Sequence, residues 1–598
     1  MKKFIISILT LLFSNILLAQ TIPASKRVNW SGVGAPTNLP IITNTVNVMT
    51  FGAHGDSVTN DASAINSAIA SLGGHAGIIK FPVGKFLIQS TLSIPDSVIL
   101  RGDCSDSTWF IFKLGSAAID DIDIQNSQTS TFRNITAGYT KESTLISLDS
   151  TTGFSVGDYA EISETNGTWN TVPISWATDC VGQFVQITAI NGNNLTIDRP
   201  LRITYNASLS PKIRKWKPRV FVGIEDLHIT RVDTGLPVAG YAMSFYNAMN
   251  CWVKGVESGN SVGAHISINA SSNITVSGCY FHDAYAYDGT STRGYGVLII
   301  QHSGQNLVEN NIFNHLRHSI ILKQGANGNV AGYNYCINGY RSEAPFHDAG
   351  ADICLHGHYS FANLLEGNLT NNIQIDSTWG PTGPYTTFYR NRSILYGITM
   401  TTGASVNSDS LNFVGNEITN STFPYGQFIL AGTNHFEYGN NQHGTIIPTN
   451  TTNLVDTSYY RTSFNDFWPQ APFPPTVGMP VVINTGSIPA KDRFNSTSRL
   501  TVSPNAPCIT TDINEIRNKN FNVFPNPANN SIHVELLELE NSNTIELLSS
   551  DGRIIYKTIL EKGNSQMEIN TSNYPQGLYL LKIANDQYVN FVKMVIER

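Results

Sequence analysis

Between residues 220 and 445 the chain alternates short apolar or β-branched runs with Asn and Gly, and six of these runs end alike. LVENN closes at Asn311, VAGYN at Asn334 and LLEGN at Asn368, while FYRNR, FVGNE and YGNNQ carry Asn391, Asn416 and Asn440. These asparagines follow one another at steps of 23, 34, 23, 25 and 24 residues. A period of this size marks a stacked repeat whose unit is too small to bury its own apolar face, so the units must stack into one core. Asn suits the sharp bend between two strands because it tolerates the left-handed conformation, and its amide can bond from coil to coil. The same slot runs backwards through Cys279, Val256 and Leu227, which gives about nine coils of a parallel β-helix. A β-sandwich would instead space its strands at about 8–12 residues.

The flanks break this rhythm. Residues 143–205 read as a small β insertion with a hairpin on Asn191-Gly192, an Asn-Gly turn. Its loop holds Trp169 and Trp176, either of which could stack on a sugar ring, with packing as the plainer role. The main solenoid with its C-terminal flank is assigned to 206–508, and the Pro-rich FWPQAPFPP and the stretch 488–493 are expected as extended chain along it. Residues 509–520 read as a linker and 521–598 as short alternating strands of a small β-sandwich. Residues 1–19 have two lysines, an apolar run and Leu-Ala before Gln20, the pattern of a cleaved signal peptide. No other stretch is apolar enough to span a membrane, so the mature chain is expected without a transmembrane segment.

A net charge of −7 and the absence of any Lys/Arg run argue against nucleic acid as partner. The 7 cysteines show no metal or redox spacing and read as small buried residues, with one disulfide at most.

Residues 20–142 form the N-terminal cap and first coils. Phe51-Gly-Ala-His-Gly-Asp56, Thr59-Asn60-Asp61, a short helical pattern capped by Asp61, Gly73-Gly74, Ile78–Phe81 and Val98–Gly102 follow in order. This arrangement resembles the pectate-lyase-like superfamily of right-handed parallel β-helix proteins, which implies an all-β solenoid. It does not imply one chemistry, because the superfamily spans lyases, hydrolases, epimerases and tailspikes. Its catalytic signatures do not match here residue by residue, so no catalytic residue is carried over. The segment 521–598, with FPNPA, Asp551-Gly552-Arg553 and YPQGLYLLKI, resembles the C-terminal sorting domain of the type IX secretion pathway of the Bacteroidetes. That resemblance implies the type IX machinery as a partner and a secreted or outer-membrane-surface address.

Two steps of the repeat are long, and both excursions concentrate His, Asp, Arg and Tyr, as loops on a rigid scaffold do when they carry function. Alternation along Ser319–Gln324 and Asp352–His356 sends Lys323, Asp352, Cys354 and His356 outward, with Gln301 one rung earlier and Asp376 one rung later. The candidate catalytic set is Lys323, His356, Asp352, Asp348, Asp376 and Arg341, and the candidate substrate-binding set is Gln301, His302, His358, His347, Tyr340 and Arg293. Asp352 with neighbouring carboxylates offers oxygen ligands to Ca²⁺, and His356-Gly-His358 has metal spacing without a third ligand; no cofactor is otherwise called for.

The expectation is a secreted, monomeric enzyme that cleaves a uronate-containing polysaccharide by β-elimination, with a cation to hold enolate charge and a base for the C5 proton. One alternative is a glycoside hydrolase on the same fold, using two of Asp348, Asp352 and Asp376. A non-catalytic glycan-binding adhesin is the second.

Overall fold

The computed structural model of this chain describes residues 21–37, 42–116, 118–127, 130–233, 240–401, 406–464, 466–468, 476–479, 486–496, 521–536, 542–549, 553–585 and 589–597. The signal peptide, the 509–520 linker and residues 469–475 of the Pro-rich flank lie outside the described residues. The chain divides into two compact units, 1–508 and 509–598.

The first unit is a parallel β-helix. A 12-stranded parallel sheet lines one side, and nine of its strands run from Gly223–Glu225 to Phe436–Tyr438. A 21-stranded sheet, folded lengthwise at a corner, supplies the other two sides. One limb runs through His228–Arg231, Glu257–Ser261, Tyr280–Ala284 and Ile312–Asn314, the other through Ala264–Asn269, Tyr295–Ile300, His318–Leu322 and Ile353–Leu355. The long strand Leu369–Ile375 belongs to both limbs, pairing with Tyr335 at one end and Ile353 at the other. Inward side chains form one apolar cluster from Val48 to Ile418.

The six repeat asparagines stack at one corner, completely buried. The backbone N–H of Asn311, Asn334 and Asn368 each donates to Oδ1 of the next asparagine at 3.1 Å, and their Nδ2 groups donate to the same oxygens at 3.0, 3.0 and 2.9 Å. The series continues through Asn391 and Asn416 to Asn440, and Cys279 N–H enters it by donating to Asn311 Oδ1. The left-handed residue is not the asparagine itself but the one before it: Asn310, Tyr333, Gly367, Arg390, Gly415 and Gly439 have φ between 50 and 66°. Asn is therefore required for its amide, which satisfies turn N–H groups that water cannot reach. A second ladder, Asn306–Asn329–Asn363, holds the next corner in the same way and has no counterpart in the sequence reading.

The inserted stretch is a closed six-stranded barrel that takes in Arg133–Ala137 and Lys212–Trp216 beyond the 143–205 core. The helix Ala62–Ser71 covers the solenoid end with Ala64, Ile65, Ala68 and Ile69. Asp61 stands at its N-cap position, but its side chain makes no bond to the helix. Its carboxylate instead takes the N–H groups of His54 and Gly55 at 2.7 and 3.1 Å. The stretch 488–493, expected as extended, opens a short helix, Pro489–Asn495, in which proline at the first position needs no N–H partner. Its Arg493 donates to the Asn310 carbonyl at 2.7 Å. The second unit is a sandwich of a three-stranded and a four-stranded antiparallel sheet around Ile532, Val534, Ile545, Leu547, Leu581 and Ile583.

Asn391→Ala removes an amide that serves Asn368 and leaves a buried backbone N–H unpaired, so it should destabilise the solenoid by about 3 kcal/mol. The exposed Asn338→Ala should stay within about 0.5 kcal/mol. The shift of the urea midpoint measures both.

Candidate active site

Strand register builds the site. Asn269 pairs with Ile300, Ile299 with Leu322, Leu322 with Leu355, Leu355 with Ile375, and Ile375 with Met400. The outward residues Asn269, Ile300, Lys323, His356, Asp376 and Thr401 thus form one row across six rungs, about 4.8 Å apart. The expected alternation holds: Ile320, Leu322, Ile353 and Leu355 enter the solenoid core, while Ile321 and Cys354 join a separate apolar cluster on the outer face. Gln301 is one residue out of register; Ile300 occupies its place, and Gln301 turns into the left-handed conformation.

The row is the floor of a cleft of about 850 Å³. One wall is made by the two excursions, through Gly289–Thr292 and through Arg341, Glu343, Ala349 and Gly350, and the other by Trp176 of the barrel loop with Thr378 and Trp379. Barrel and solenoid are tied where Gln324 donates to the Trp176 carbonyl at 2.9 Å, and His302 meets Glu161 at 2.8 Å. At Gly325 (φ 68°) a Cβ would lie 1.5 Å from the Cys180 carbonyl oxygen, so only glycine allows the barrel loop so close.

His356 Nδ1 lies 2.5 Å from Asp376 Oδ2, and the indole N–H of Trp379 donates to His356 Nε2 at 3.0 Å. An indole only donates, so Nε2 is the acceptor, and the imidazole proton sits on Nδ1, facing Asp376. Burial raises the Asp376 carboxyl, but the hydrogen bond from His356 outweighs it and holds the group below its ordinary value. Lys323 lies over the Trp176 ring, 5.0 Å from its centroid. Loss of water pushes its ammonium down to about 8, against the pull of Asp376. His318 is buried against the Ala351 carbonyl, and burial lowers it to about 3, so it is neutral.

Of the residues expected at the site, Lys323, His356, Asp376 and Arg341 line the cleft together. Asp352 does not. It is 1% exposed beneath the floor, where Oδ2 accepts the N–H of Asn371 at 2.5 Å, and burial raises it to about 7. Asp348 accepts the hydroxyls of Tyr396 and Tyr425 at 2.8 and 3.2 Å, outside the cleft lining. His302 and His358 hold the barrel, the latter reaching the Val172 carbonyl at 3.4 Å. Tyr340 and His347 stack on each other at 5.8 Å, and Arg293 pairs with Asp288 at 2.6 Å. None of these five candidates lines the cleft.

The His-Gly-His spacing serves Trp379 rather than a metal. Gly357 (φ 72°) lets the chain pass the Trp379 backbone, which a Cβ would meet at 2.7 Å, and both imidazoles pack against the Trp379 ring, His356 edge-on and His358 stacked. Among the described residues one group has ligand atoms close enough to share an ion, Cys354, His356 and Asp376. Asp352 is not in it, and the Cys354 and His356 protons already face Asp376 while Lys323 brings a positive charge beside them. The donor set therefore fits a proton network better than a cation.

Trp379, Arg317, His318 and Tyr295 also line the cleft and escaped the sequence reading. Tyr295 and His318 begin their strands, where the corner resets the alternation, so parity alone points them inward. Trp379 carried one signal, its position three residues after Asp376.

Residues 45–286 match the family described as rhamnogalacturonase A/epimerase, pectate lyase-like, and residues 522–597 match the secretion system C-terminal sorting domain. The sorting domain addresses the chain to type IX export, at the cell surface or outside. Among the described residues no helix is long and apolar enough to cross a membrane. A 78-residue stretch is 30% identical to the non-secreted LysM effector LysM19 of Penicillium expansum, covering 13% of this chain and 6% of that protein. Similar solved structures include the Family 28 exopolygalacturonase of Yersinia enterocolitica (14% identity, 66% of this chain and 70% of that one, TM-score 0.38). Another is PfbA, a surface adhesin of Streptococcus pneumoniae (12%, 66% and 83%, TM-score 0.39).

Asp352→Asn should leave turnover within about threefold of wild type, because the carboxyl does not reach the cleft. Its native value near 7 lies above the unfolded value of about 3.9. The native state therefore binds the extra proton, and wild-type stability falls as pH rises from about 4 to 7. Melting temperatures across that range should vary less in the variant.

Proposed function

We propose that this protein is a secreted polysaccharide lyase that breaks a glycosidic bond beside a uronate by β-elimination. The observation that carries the reading is the row Lys323–His356–Asp376, a desolvated lysine next to one hydrogen-bonded carboxylate, on a rigid floor. A lysine titrating near 8 is in part a free amine at neutral pH and can take the C5 proton. His356 is a weaker candidate for the base, because its Nε2 lone pair is engaged by Trp379. In this scheme the C5–H bond breaks toward Lys323 Nζ, its electrons form the C4–C5 double bond, and the C4–O bond opens. The proton gained by Lys323 is then available to the departing oxygen. Arg317 and Arg341 lie in the same cleft and suit the substrate carboxylate, whose charge grows as the proton leaves. Asp376 and His356 keep Lys323 and Trp379 in place.

Hydrolysis calls for two carboxyl groups facing one bond, about 5–9.5 Å apart. Of Asp348, Asp352 and Asp376 only Asp376 lines the cleft, and the other lining carboxylate, Glu343, is on the loop wall. That distribution favours elimination over a paired-Asp hydrolase. A purely adhesive role leaves the desolvated lysine unexplained. The scheme needs no metal.

Lys323→Met should lower turnover at least about 10²-fold, as loss of a general base does. Products should carry the ultraviolet absorbance of a C4–C5 double bond, and kcat/KM should rise with pH through about 8. New reducing ends without that absorbance would instead favour a hydrolase. The lysine's native value lies below the unfolded one of about 10.4, so it contributes stability that grows between pH 8 and 10.4. Melting curves of Lys323→Met should lose that slope, and a chelator should leave wild-type turnover unchanged.

A further inference from the structure

The cations of the cleft are not spread along it. The row Asn269–Ile300–Lys323–His356–Asp376–Thr401 spans five spacings, about 24 Å, room for several sugar units. Lys323 and Arg317 flank the single strand His318–Leu322, and Arg341 is on the loop that leads to the next rung, Ile353–Leu355. On the preceding rungs the cleft presents Tyr241, Asn269, Tyr295, Leu298 and Ile300, with no cation among them. Tyr295 and Leu298 belong to the outer apolar cluster, with Tyr241 and Ile300 half-buried against it. The cluster is separate from the solenoid core, and its half-buried members Tyr241 and Ile300 are the apolar surface it leaves to the cleft. On the following rungs are Gln374, Asp376, Thr378 and Thr401, where the only charge is negative.

A polymer with a carboxylate on every unit is badly served by this floor. One carboxylate would meet Ile300 and Tyr241 without a counter-charge, and another would meet Asp376. Desolvating an unpaired carboxylate and bringing two like charges within a few ångströms are both unfavourable. Neutral sugars fit both flanks: their C–H faces suit Tyr241 and Ile300, and their hydroxyls suit Gln374, Thr378 and Thr401.

We infer that the cleft seats a single uronate at the Lys323 rung and neutral sugars on either side, with Tyr241, Asn269 and Ile300 forming a neutral-sugar subsite. The substrate is then a mixed polysaccharide in which uronates are separated by uncharged units. This rests on the elimination reading for the position of the uronate, but it is read out by binding.

The test is affinity electrophoresis of the full chain in gels containing gellan or hyaluronan, whose uronates are separated by neutral sugars, or alginate or polygalacturonate, whose every unit is charged. Retardation should correspond to at least about tenfold tighter binding of the separated-uronate polymers, the scale of one uncompensated charge. Ile300→Lys and Asn269→Lys, each adding a cation to the neutral rungs, should narrow or reverse that ranking. Equal or stronger retardation by alginate and polygalacturonate overturns the inference, as does a ranking that neither lysine variant alters, or no retardation in any gel. The expected ranking without an ultraviolet-absorbing product would overturn elimination alone. Ready cleavage of alginate or polygalacturonate with that product would overturn this inference alone.

Discussion

Everything in the solenoid depends on the amides stacked at its corners. A turn between two parallel strands leaves N–H groups that cannot reach water once coils are packed above and below, and an unpaired buried donor costs about 1–3 kcal/mol. An asparagine inside the ladder answers this twice, accepting from the coil before it and donating Nδ2 both to the next amide and to a strand carbonyl, as Asn368 does with Ala331. The bonds are satisfied only when successive coils superpose. Register is thereby fixed over many rungs, and residues far apart in sequence, such as Lys323 and Asp376, meet on one face.

The cleft differs in charge balance from the other polar clusters. On the adjoining face His228, Glu257, His282, Asp283 and His315 form a chain of imidazole–carboxylate contacts. Burial lowers His282, but Asp283 and Glu257 outweigh it and raise it to about 9. Glu309 and Glu366, raised by burial to about 7, are covered by Arg461, Tyr460 and Tyr459 of the C-terminal flank. In these clusters each carboxylate faces a hydrogen-bonding or cationic partner, and the contacts hold segments together. At Lys323, desolvation exceeds the compensation that Asp376 provides, and the surplus appears as a lowered proton affinity in an open cleft, the condition under which a lysine can act as a base.

The barrel gives the cleft its second wall. It is inserted after the first coils, yet its loop returns to the turns that follow Lys323 and His356, where Gln324 and His358 hold it. Trp176 is thereby brought over the lysine and excludes water from it, so the proton affinity of one residue depends on a segment about 150 residues upstream.

The sequence by itself determined the repeat, its period, the buried parity of Ile320, Leu322, Ile353 and Leu355, and the sorting domain, because these follow from local alternation and from chemistry repeated at fixed steps. It also placed Lys323, His356 and Asp376 on neighbouring rungs, since counting along a regular strand carries over to its neighbours. It misplaced Gln301 by one residue, and it gave the left-handed turn to the ladder asparagines instead of to Asn310, Tyr333 and Arg390 before them. Both errors arise where a strand ends and counting fails. The roles of Asp352, Trp176, Trp379 and Arg317 were decided only by the tertiary structure. Whether a carboxyl faces a cleft or a backbone amide, and whether an indole covers a lysine, depends on how loops and insertion close over the floor, and that geometry has no period to read.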